Sequence, residues 1–110
     1  MNRKIRRAME KLKPTYPLNQ IKAAFVVAVG LSATRTASLS AKALGFQAQD
    51  LVDLIQALEP GFFVKSMTSD VDPRQWQDVY YVPWGEHKLY VKFTQTADGE
   101  MLLLSFKEKT

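Results

Sequence analysis

The sequence predicts an α+β fold in which three N-terminal helices pack on a twisted antiparallel sheet. Up to about Leu58 the apolar residues recur at spacings of three and four, as on amphipathic helices. From Phe62 onward they alternate with polar residues, as in strands with one buried face. Helices first and strands afterward favour an antiparallel sheet packed on helices. A chain of 110 residues has the length of one domain and can bury a core of its own.

Composition excludes several classes of protein. The chain has no cysteine, which excludes disulfides and thiolate metal sites and favours a reducing cytoplasm. No apolar run approaches the roughly 20 residues that span a bilayer. The basic start is not followed at once by an apolar stretch, so a secretory signal is not expected. We therefore predict a cytoplasmic protein without membrane contact.

The positive charge is concentrated at the N-terminus. Residues 1–13 account for +5 of the net charge of +4, so residues 14–110 carry −1. Residues 1–13 are predicted to be a basic, mobile extension, and residues 14–110 a single domain. A nucleic-acid site on that domain would need a few lysines gathered on one face.

The three predicted helices span residues 18–29, about 36–44 and about 47–58. Gly30 is a plausible end for the first helix. Thr34 or Thr36 can cap the second, with Gly45 just past its end. The third carries the clearest apolar stripe, and Pro60 follows it.

Four strands are predicted after the helices. Two lie within residues 62–81, one over residues 88–96 and one over residues 101–107, with a loop at residues 83–85. Lys65 and Gln77 interrupt the first two apolar runs, so each strand has a core face and a wetter face.

The last two strands form a hairpin whose register follows from its apolar residues. The predicted pairs are Phe93 with Leu104, Val91 with Phe106, Tyr90 with Lys107 and Lys92 with Ser105. The first two pairs face the core, and the loop is residues 97–100. The other two pairs leave a tyrosine and two lysines on the polar face.

Such a set suits metal-free cleavage of RNA through its own 2′-hydroxyl, in which charge on the phosphorane must be stabilised and protons moved. Neighbouring lysines lower each other's pKa, a tyrosine or lysine can transfer protons, and a glutamine amide can orient the phosphate. Solvated lysines on a sheet are, however, ordinary.

Other interpretations remain open. Asp70, Asp72 and Asp78 are close in sequence and offer a magnesium site, although turn aspartates often bond nearby backbone. The single histidine, His87, is predicted in a loop without a nucleophile. Tyr81 or Trp84 can stack on a base, although packing in the core or a loop is the favoured interpretation of both. A non-catalytic module that binds RNA or protein along the sheet is the main alternative function.

Four strings in the strand region resemble the MqsR family of bacterial toxins. They are KSMTS at 65–69, WQDVY at 76–80, LYVKF at 89–93 and LLSFKEK at 103–109. The resemblance extends from about residue 14 to the end. It implies a RelE-like fold and a type II toxin, an endoribonuclease that cuts mRNA, arrests growth under stress and is silenced by its antitoxin.

The resemblance also implies which residues act. Its proposed catalytic positions fall on Lys65, Gln77, Tyr90 and Lys107. We further expect RNA contacts from Lys92, Arg74 and Tyr81, with no metal and no cofactor. The implied partner is an antitoxin with a zinc-binding domain and a helix-turn-helix domain, so direct DNA binding by this chain is not expected.

Overall fold

The structure, a computed structural model, describes residues 8–110. The elements within these residues are β1 (Glu10–Lys11), α1 (Leu18–Ala24), α2 (Arg35–Ala43), α3 (Ala48–Gln56), a 3-10 turn (Pro60–Phe62), β2 (Phe63–Thr68), β3 (Trp76–Trp84), β4 (His87–Gln95) and β5 (Met101–Lys109). The α+β prediction of three helices and an antiparallel sheet is confirmed. The helices do not precede every strand, because β1 comes before them. None of the described helices has the length and apolar character needed to cross a bilayer.

The sheet has the order β1-β2-β3-β4-β5, and each neighbouring pair is antiparallel. One face packs on the helices around a core that includes Ile21, Phe25, Leu51, Ile55, Tyr80, Leu89, Val91, Phe93, Leu103 and Phe106. We call the opposite face, which carries the alternate residues of the strands, the outer face.

Helix α1 ends at Ala24, so the predicted extent to residue 29 is wrong. Gln56 of α3 explains the early end, because its Nε2 donates to the backbone oxygens of Lys22 and Phe25, each at 2.8 Å. These bonds satisfy carbonyls that a helix end leaves free. Val26, Val27 and Val29 then lie on the surface, 61%, 61% and 90% exposed.

The caps of the other two helices follow the sequence more closely. The Thr34 hydroxyl accepts from the backbone N–H of Ala37 at 3.0 Å, which identifies Thr34 and not Thr36 as the cap of α2. Gly45 has φ +92°, the left-handed conformation that ends helices with little strain in glycine. Helix α3 begins with a capping box of Gln47 and Asp50.

Strand β3 continues through residues 83 and 84, which the sequence predicted in a loop. Pro83 pairs with Lys88, and Trp84 pairs with His87. Because β2 pairs with β3 only as far as Tyr80, the N–H that proline lacks costs no bond on that side. The turn is therefore only two residues long, and Gly85 supplies its positive φ of 59°.

The predicted β4–β5 register is correct for Tyr90 with Lys107, Val91 with Phe106 and Lys92 with Ser105. It is wrong beyond these pairs, because a bulge at Leu104 pairs Phe93 with Leu103. The loop is consequently residues 96–100 rather than 97–100.

From Met101 to the bulge, the β5 side chains that face the core are the opposite of those predicted, whereas Phe106 faces the core as predicted. Met101 and Leu103 are buried at 4% and 0% exposure, whereas Leu102 and Leu104 are only partly covered. The bulge at Leu104 is caused by the segment before α2. The Thr34 hydroxyl donates to the Leu104 carbonyl at 3.0 Å, and the Leu103 backbone bonds to residues 32 and 34.

The chain before α1 is tied to the sheet. Glu10 and Lys11, within the predicted extension, form β1 on the edge of β2. The Asp78 carboxylate, fully buried on β3, accepts from the backbone N–H groups of Thr15 and Tyr16, at 3.0 and 2.8 Å to Oδ2. The predicted mobility of the first seven residues falls outside the described residues, and the domain boundary at residue 13 stays a prediction.

Candidate active site

The outer face brings most of the predicted site residues together. The strand register places two rows side by side, the first made of Lys65, Val79, Lys92 and Ser105 on β2 to β5, and the second of Tyr81, Tyr90 and Lys107 on β3 to β5. Paired residues share a face, so three lysines and two tyrosines are neighbours on it. The hairpin phase had predicted the pair of Tyr90 and Lys107, which is confirmed.

Tyr90 lies at the centre of this cluster. The Nζ atoms of Lys107 and Lys92 are 5.2 and 5.8 Å from the centroid of its ring, and the Tyr81 ring is 6.1 Å away. Lys109 Nζ lies 5.4 Å from the Tyr81 ring. These are cation–π distances, so the lysines are held around the two rings. A cleft of about 410 Å³ opens beside Tyr90 and Lys107 toward the C-terminus.

The environment of Lys92 disfavours the charged form of its side chain. Burial lowers the pKa of Lys92, and the charges of Lys107 and Lys65 lower it further, partly offset by Asp70. A half-buried ammonium near two others can be relieved by a phosphate. Lys92 therefore marks the point of the face most suited to bind an anion.

The predicted lowering of pKa by neighbouring lysines is confirmed for Lys92, but the pKa of Lys65 is not lowered. The pKa of Lys65 is raised, chiefly because its ammonium donates to the Glu10 carboxylate at 3.0 Å. Lys65 thus keeps its proton at neutral pH and can act as a fixed positive charge.

Tyr90 is also held in its protonated form. Burial raises the pKa of Tyr90, and the effect of nearby Tyr81 adds to it, while Lys65 opposes the shift. A neutral phenol can donate a hydrogen bond or a proton.

Gln77 lies on the same face but at its margin. It pairs with Met67 and Thr94, one row away from the row of Lys65 and Lys92. Only 8% of the residue is exposed. The structure therefore brings Gln77 beside the lysines, with little of it open to a ligand.

Arg74 is not brought to the cluster. It lies in the β2–β3 loop, and its side chain is 89% exposed and paired with Asp72 at 3.1 Å. It lines a separate cavity of about 470 Å³ together with Gln75 and Gln95.

The three aspartates of the magnesium hypothesis have separate surroundings. Asp78 accepts hydrogen bonds from the backbone N–H groups of residues 15 and 16, and Asp72 forms an ion pair with Arg74. The charge of Asp70 raises the pKa of Lys92. Within residues 8–110, no group of three histidine, cysteine, aspartate or glutamate side chains is placed to hold a metal.

Of the two aromatic residues considered for base stacking, Trp84 packs on the core, as the favoured interpretation predicted. Trp84 packs against Phe46 with ring centroids 5.8 Å apart and borders the core, so it is not on the outer face. Tyr81 lies beside Tyr90, where a base can stack on it.

His87 begins β4 and pairs with Glu108 at 3.0 Å, so its predicted loop position is wrong.

Two charged residues in contact with the cluster, Lys109 and Glu10, were missed from the sequence. Lys109 follows Lys107 at the strand period of two, a signal that could have found it. Glu10 carried no such signal, because nothing local to its sequence places it beside Lys65.

Comparison with known proteins identifies the family of this chain. The family model described as "Motility quorum-sensing regulator, toxin of MqsA" matches residues 13–108. The chain is 39% identical over 101 residues to the mRNA interferase toxin MqsR of Escherichia coli (strain K12), an alignment that covers 92% of this chain and 100% of that protein. A sheet with a lysine and tyrosine face thus occurs in a protein of the toxin class. The chain belongs to the MqsR toxin family.

Proposed function

We propose that this protein is a sequence-selective mRNA endoribonuclease and the toxin of a type II toxin–antitoxin pair. One observation carries the proposal: Lys65, Lys92 and Lys107 surround Tyr90 on an open sheet face, in a chain whose relative is named an mRNA interferase toxin. We further infer a RelE-like fold, action in the cytoplasm where mRNA is found, and growth arrest as the outcome.

The chemistry is transfer of the phosphodiester to its own 2′-oxygen. The 2′-oxygen bonds to phosphorus, the bond to the 5′-oxygen breaks, and the products end in a 2′,3′-cyclic phosphate and a 5′-hydroxyl. Lys65 and Lys107 stabilise the negative charge of the phosphorane, so no metal ion is required for that task. Tyr90, whose pKa is raised, gives its proton to the leaving 5′-oxygen. Gln77 positions the scissile phosphate from the margin.

The substrate is single-stranded. An unpaired strand can lie across an open sheet face with its phosphates on lysines and its bases on aromatic rings. Lys92 binds a phosphate and Tyr81 stacks on a base. Arg74, beyond the Gln77 end of the face, contacts RNA outside the cluster.

The partner is a cognate antitoxin with a zinc-binding domain and a helix-turn-helix domain. The family description names the toxin as that of MqsA, which supports an antitoxin partner. Promoter binding belongs to the antitoxin in this proposal, not to this chain.

Purified protein incubated with an mRNA transcript in EDTA tests the function. We expect new 5′-hydroxyl ends at defined positions. Lys107→Ala and Tyr90→Phe should each lower the cleavage rate by about 100-fold or more. Lys42→Ala, on α2, is the matched control and should retain full activity.

Three results would contradict the proposal. Full activity of both site variants would remove the residues from the mechanism. Loss of cleavage in EDTA would indicate a metal-dependent nuclease. Protection of RNA without new 5′-hydroxyl ends would favour the non-catalytic binding module.

A further inference from the structure

A carboxylate from the N-terminal segment reaches the lysine side of the candidate site. Glu10 Oε2 lies 3.0 Å from Lys65 Nζ. Glu10 is outside residues 13–108, which the family description matches. Neither the family match nor the predicted site residues therefore assign it a role.

The register of β1 fixes Glu10 on the outer face. Glu10 pairs with Met67, and Met67 lies two residues from Lys65 on the same strand, so all three share a face. Met9 and Thr68 exchange two further bonds, from Met9 N to Thr68 Oγ1 at 2.8 Å and from Thr68 N to Met9 O at 2.9 Å. The position of Glu10 is thus set by backbone pairing.

A second set of contacts holds the chain that follows Glu10. Lys11 Nζ lies 4.2 Å from the centroid of the Trp76 ring, and the Tyr16 hydroxyl donates to the Trp76 carbonyl at 2.9 Å. The Thr15 hydroxyl is 2.7 Å from that of Ser66. These contacts and the buried bonds to Asp78 secure the chain after Glu10, and the bonds between Met9 and Thr68 secure the chain before it.

The proposed reaction lacks one participant, a group that takes the proton of the 2′-hydroxyl. Lys65 and Tyr90 have raised pKa values and so keep their own protons at neutral pH. Lys92 is half buried and its pKa is lowered by burial and by two other lysines, and the proposed function already assigns it to binding the phosphate. Glu10 has a carboxylate, and its Oε1 has no hydrogen bond within residues 8–110.

The arrangement across the sheet also suits the geometry of displacement. Attacking and leaving oxygens lie on opposite sides of phosphorus, so base and acid are needed on opposite sides of the phosphate. Glu10 is on β1, Tyr90 is on β4, and Lys65 interacts with both of them. Lys65, which lies on β2 between them, would hold the phosphate with the carboxylate toward β1 and the phenol toward β4.

We propose that Glu10 is the general base of this site, taking the 2′-hydroxyl proton while Tyr90 gives its proton to the 5′-oxygen. Lys65 orients the carboxylate through Oε2. The 2′-hydroxyl loses one proton and the 5′-oxygen gains one, so the RNA products carry as many protons as the substrate. This inference rests on the proposed ribonuclease function and adds a catalytic residue to it.

The test compares the full-length protein with Glu10→Gln on an RNA oligonucleotide that spans a mapped cleavage site. The glutamine amide oxygen can still accept from Lys65, so shape and contact are kept while the basic carboxylate is lost. We expect kcat to fall by about 100-fold or more. Binding of the same oligonucleotide with a non-cleavable 2′-O-methyl group should change little. Glu59→Gln, an exposed glutamate before the 3-10 turn, is the matched control.

The pH profile separates a base from a structural group. The value of kcat/KM should fall on the acid side in the unsubstituted protein and in Glu59→Gln, and Glu10→Gln should lose this limb. The charged group that faces Glu10 from β2 is Lys65, and Lys11 on β1 lies instead over Trp76. Lys65 remains charged throughout that range and does not produce the limb.

The outcomes are distinct. No cleavage by the unsubstituted protein overturns both the proposed function and the role of Glu10. Cleavage by the unsubstituted protein together with an unchanged rate and pH profile in Glu10→Gln overturns the role of Glu10 alone. A faster Glu10→Gln variant also overturns it, because the carboxylate would then be blocking Lys65.

Discussion

Lys92 is a residue whose charge opposes folding. Its pKa is lowered by burial and by the charges of Lys107 and Lys65, so the folded state disfavours an ammonium that the unfolded chain keeps at neutral pH. The charged Lys92 therefore destabilises the folded protein at any pH below the pKa that Lys92 has in the folded state. Selection for stability alone would not place a lysine there. Its presence is understandable at a site that binds phosphate.

We predict that Lys92→Met raises the free energy of unfolding at neutral pH by about 0.5–2 kcal/mol and at the same time lowers RNA cleavage. Urea unfolding and the transcript assay measure the two effects. Lys88→Met, exposed on the same strand, is the control and should leave stability nearly unchanged. A destabilised Lys92→Met variant would show that packing of the lysine stem outweighs its charge.

Tyr80 gives a pH dependence of stability. Burial, with a smaller effect of the Asp78 charge, raises the pKa of Tyr80 to about 12. The unfolded chain releases this proton near pH 10, about two units earlier, so the folded state retains a proton that the unfolded state has lost. Stability should therefore be full below about pH 10 and fall by about 2–3 kcal/mol as the pH approaches about 12.

Tyr80→Phe should remove that part of the alkaline loss. Urea unfolding at about pH 9 and about pH 11 measures it, and the difference between the two values should be smaller in the variant. Some loss should remain, because burial also raises the pKa values of Tyr16 and Tyr90. Tyr81→Phe is the comparison, and an equal pH slope in both variants would contradict the assignment.

Among the elements, the start of α2 supports the sheet as well as the helix. The Thr34 hydroxyl accepts from Ala37 N and donates to the Leu104 carbonyl, each at 3.0 Å. We predict that Thr34→Ala lowers the free energy of unfolding by about 1–2 kcal/mol, because it removes both bonds. Thr34→Ser keeps the hydroxyl and should retain most of the stability in urea unfolding. Equal losses in the two variants would exclude these bonds as the cause.

The same contact shows what the sequence could predict of the elements. Helix caps and hairpin phase are local, so Thr34, Gly45 and the pair of Tyr90 and Lys107 were found. The end of α1 depends on Gln56 of another helix, and the bulge at Leu104 depends on the chain before α2. Contacts between elements decide such details, and no local pattern reports them.

For the molecule as a whole, charge is segregated. Residues 14–110 carry a net charge of −1, yet Lys65, Lys92 and Lys107 meet on one face. We predict that binding of non-cleavable single-stranded RNA weakens steeply with salt, with a log–log slope of about −2 if three phosphates are neutralised. Lys107→Ala should reduce the slope by about 0.7, and Lys42→Ala should not change it. A slope near zero would exclude this face as the RNA-binding surface.

The candidate site was predictable only where it lies within the last hairpin or in the matching strings. Lys65, Gln77, Tyr90 and Lys107 came from those, and the structure places them on one face. Glu10 joins Lys65 across 55 positions of sequence, so its proximity exists only in the folded chain. The pKa shifts follow the same rule, since they depend on burial and on neighbours from other strands.

The order of strands also has a consequence for how the protein folds. Strands β2 to β5 are neighbours in both sequence and sheet, so their hairpins close short loops. Strand β1 must instead close a loop of about 59 residues, the separation of Met9 and Thr68, which costs more chain entropy. We therefore expect the meander of β2 to β5 to form early and β1 to dock late. Since Glu10 arrives with β1, the outer face would gather its lysines and tyrosines first and acquire its carboxylate last.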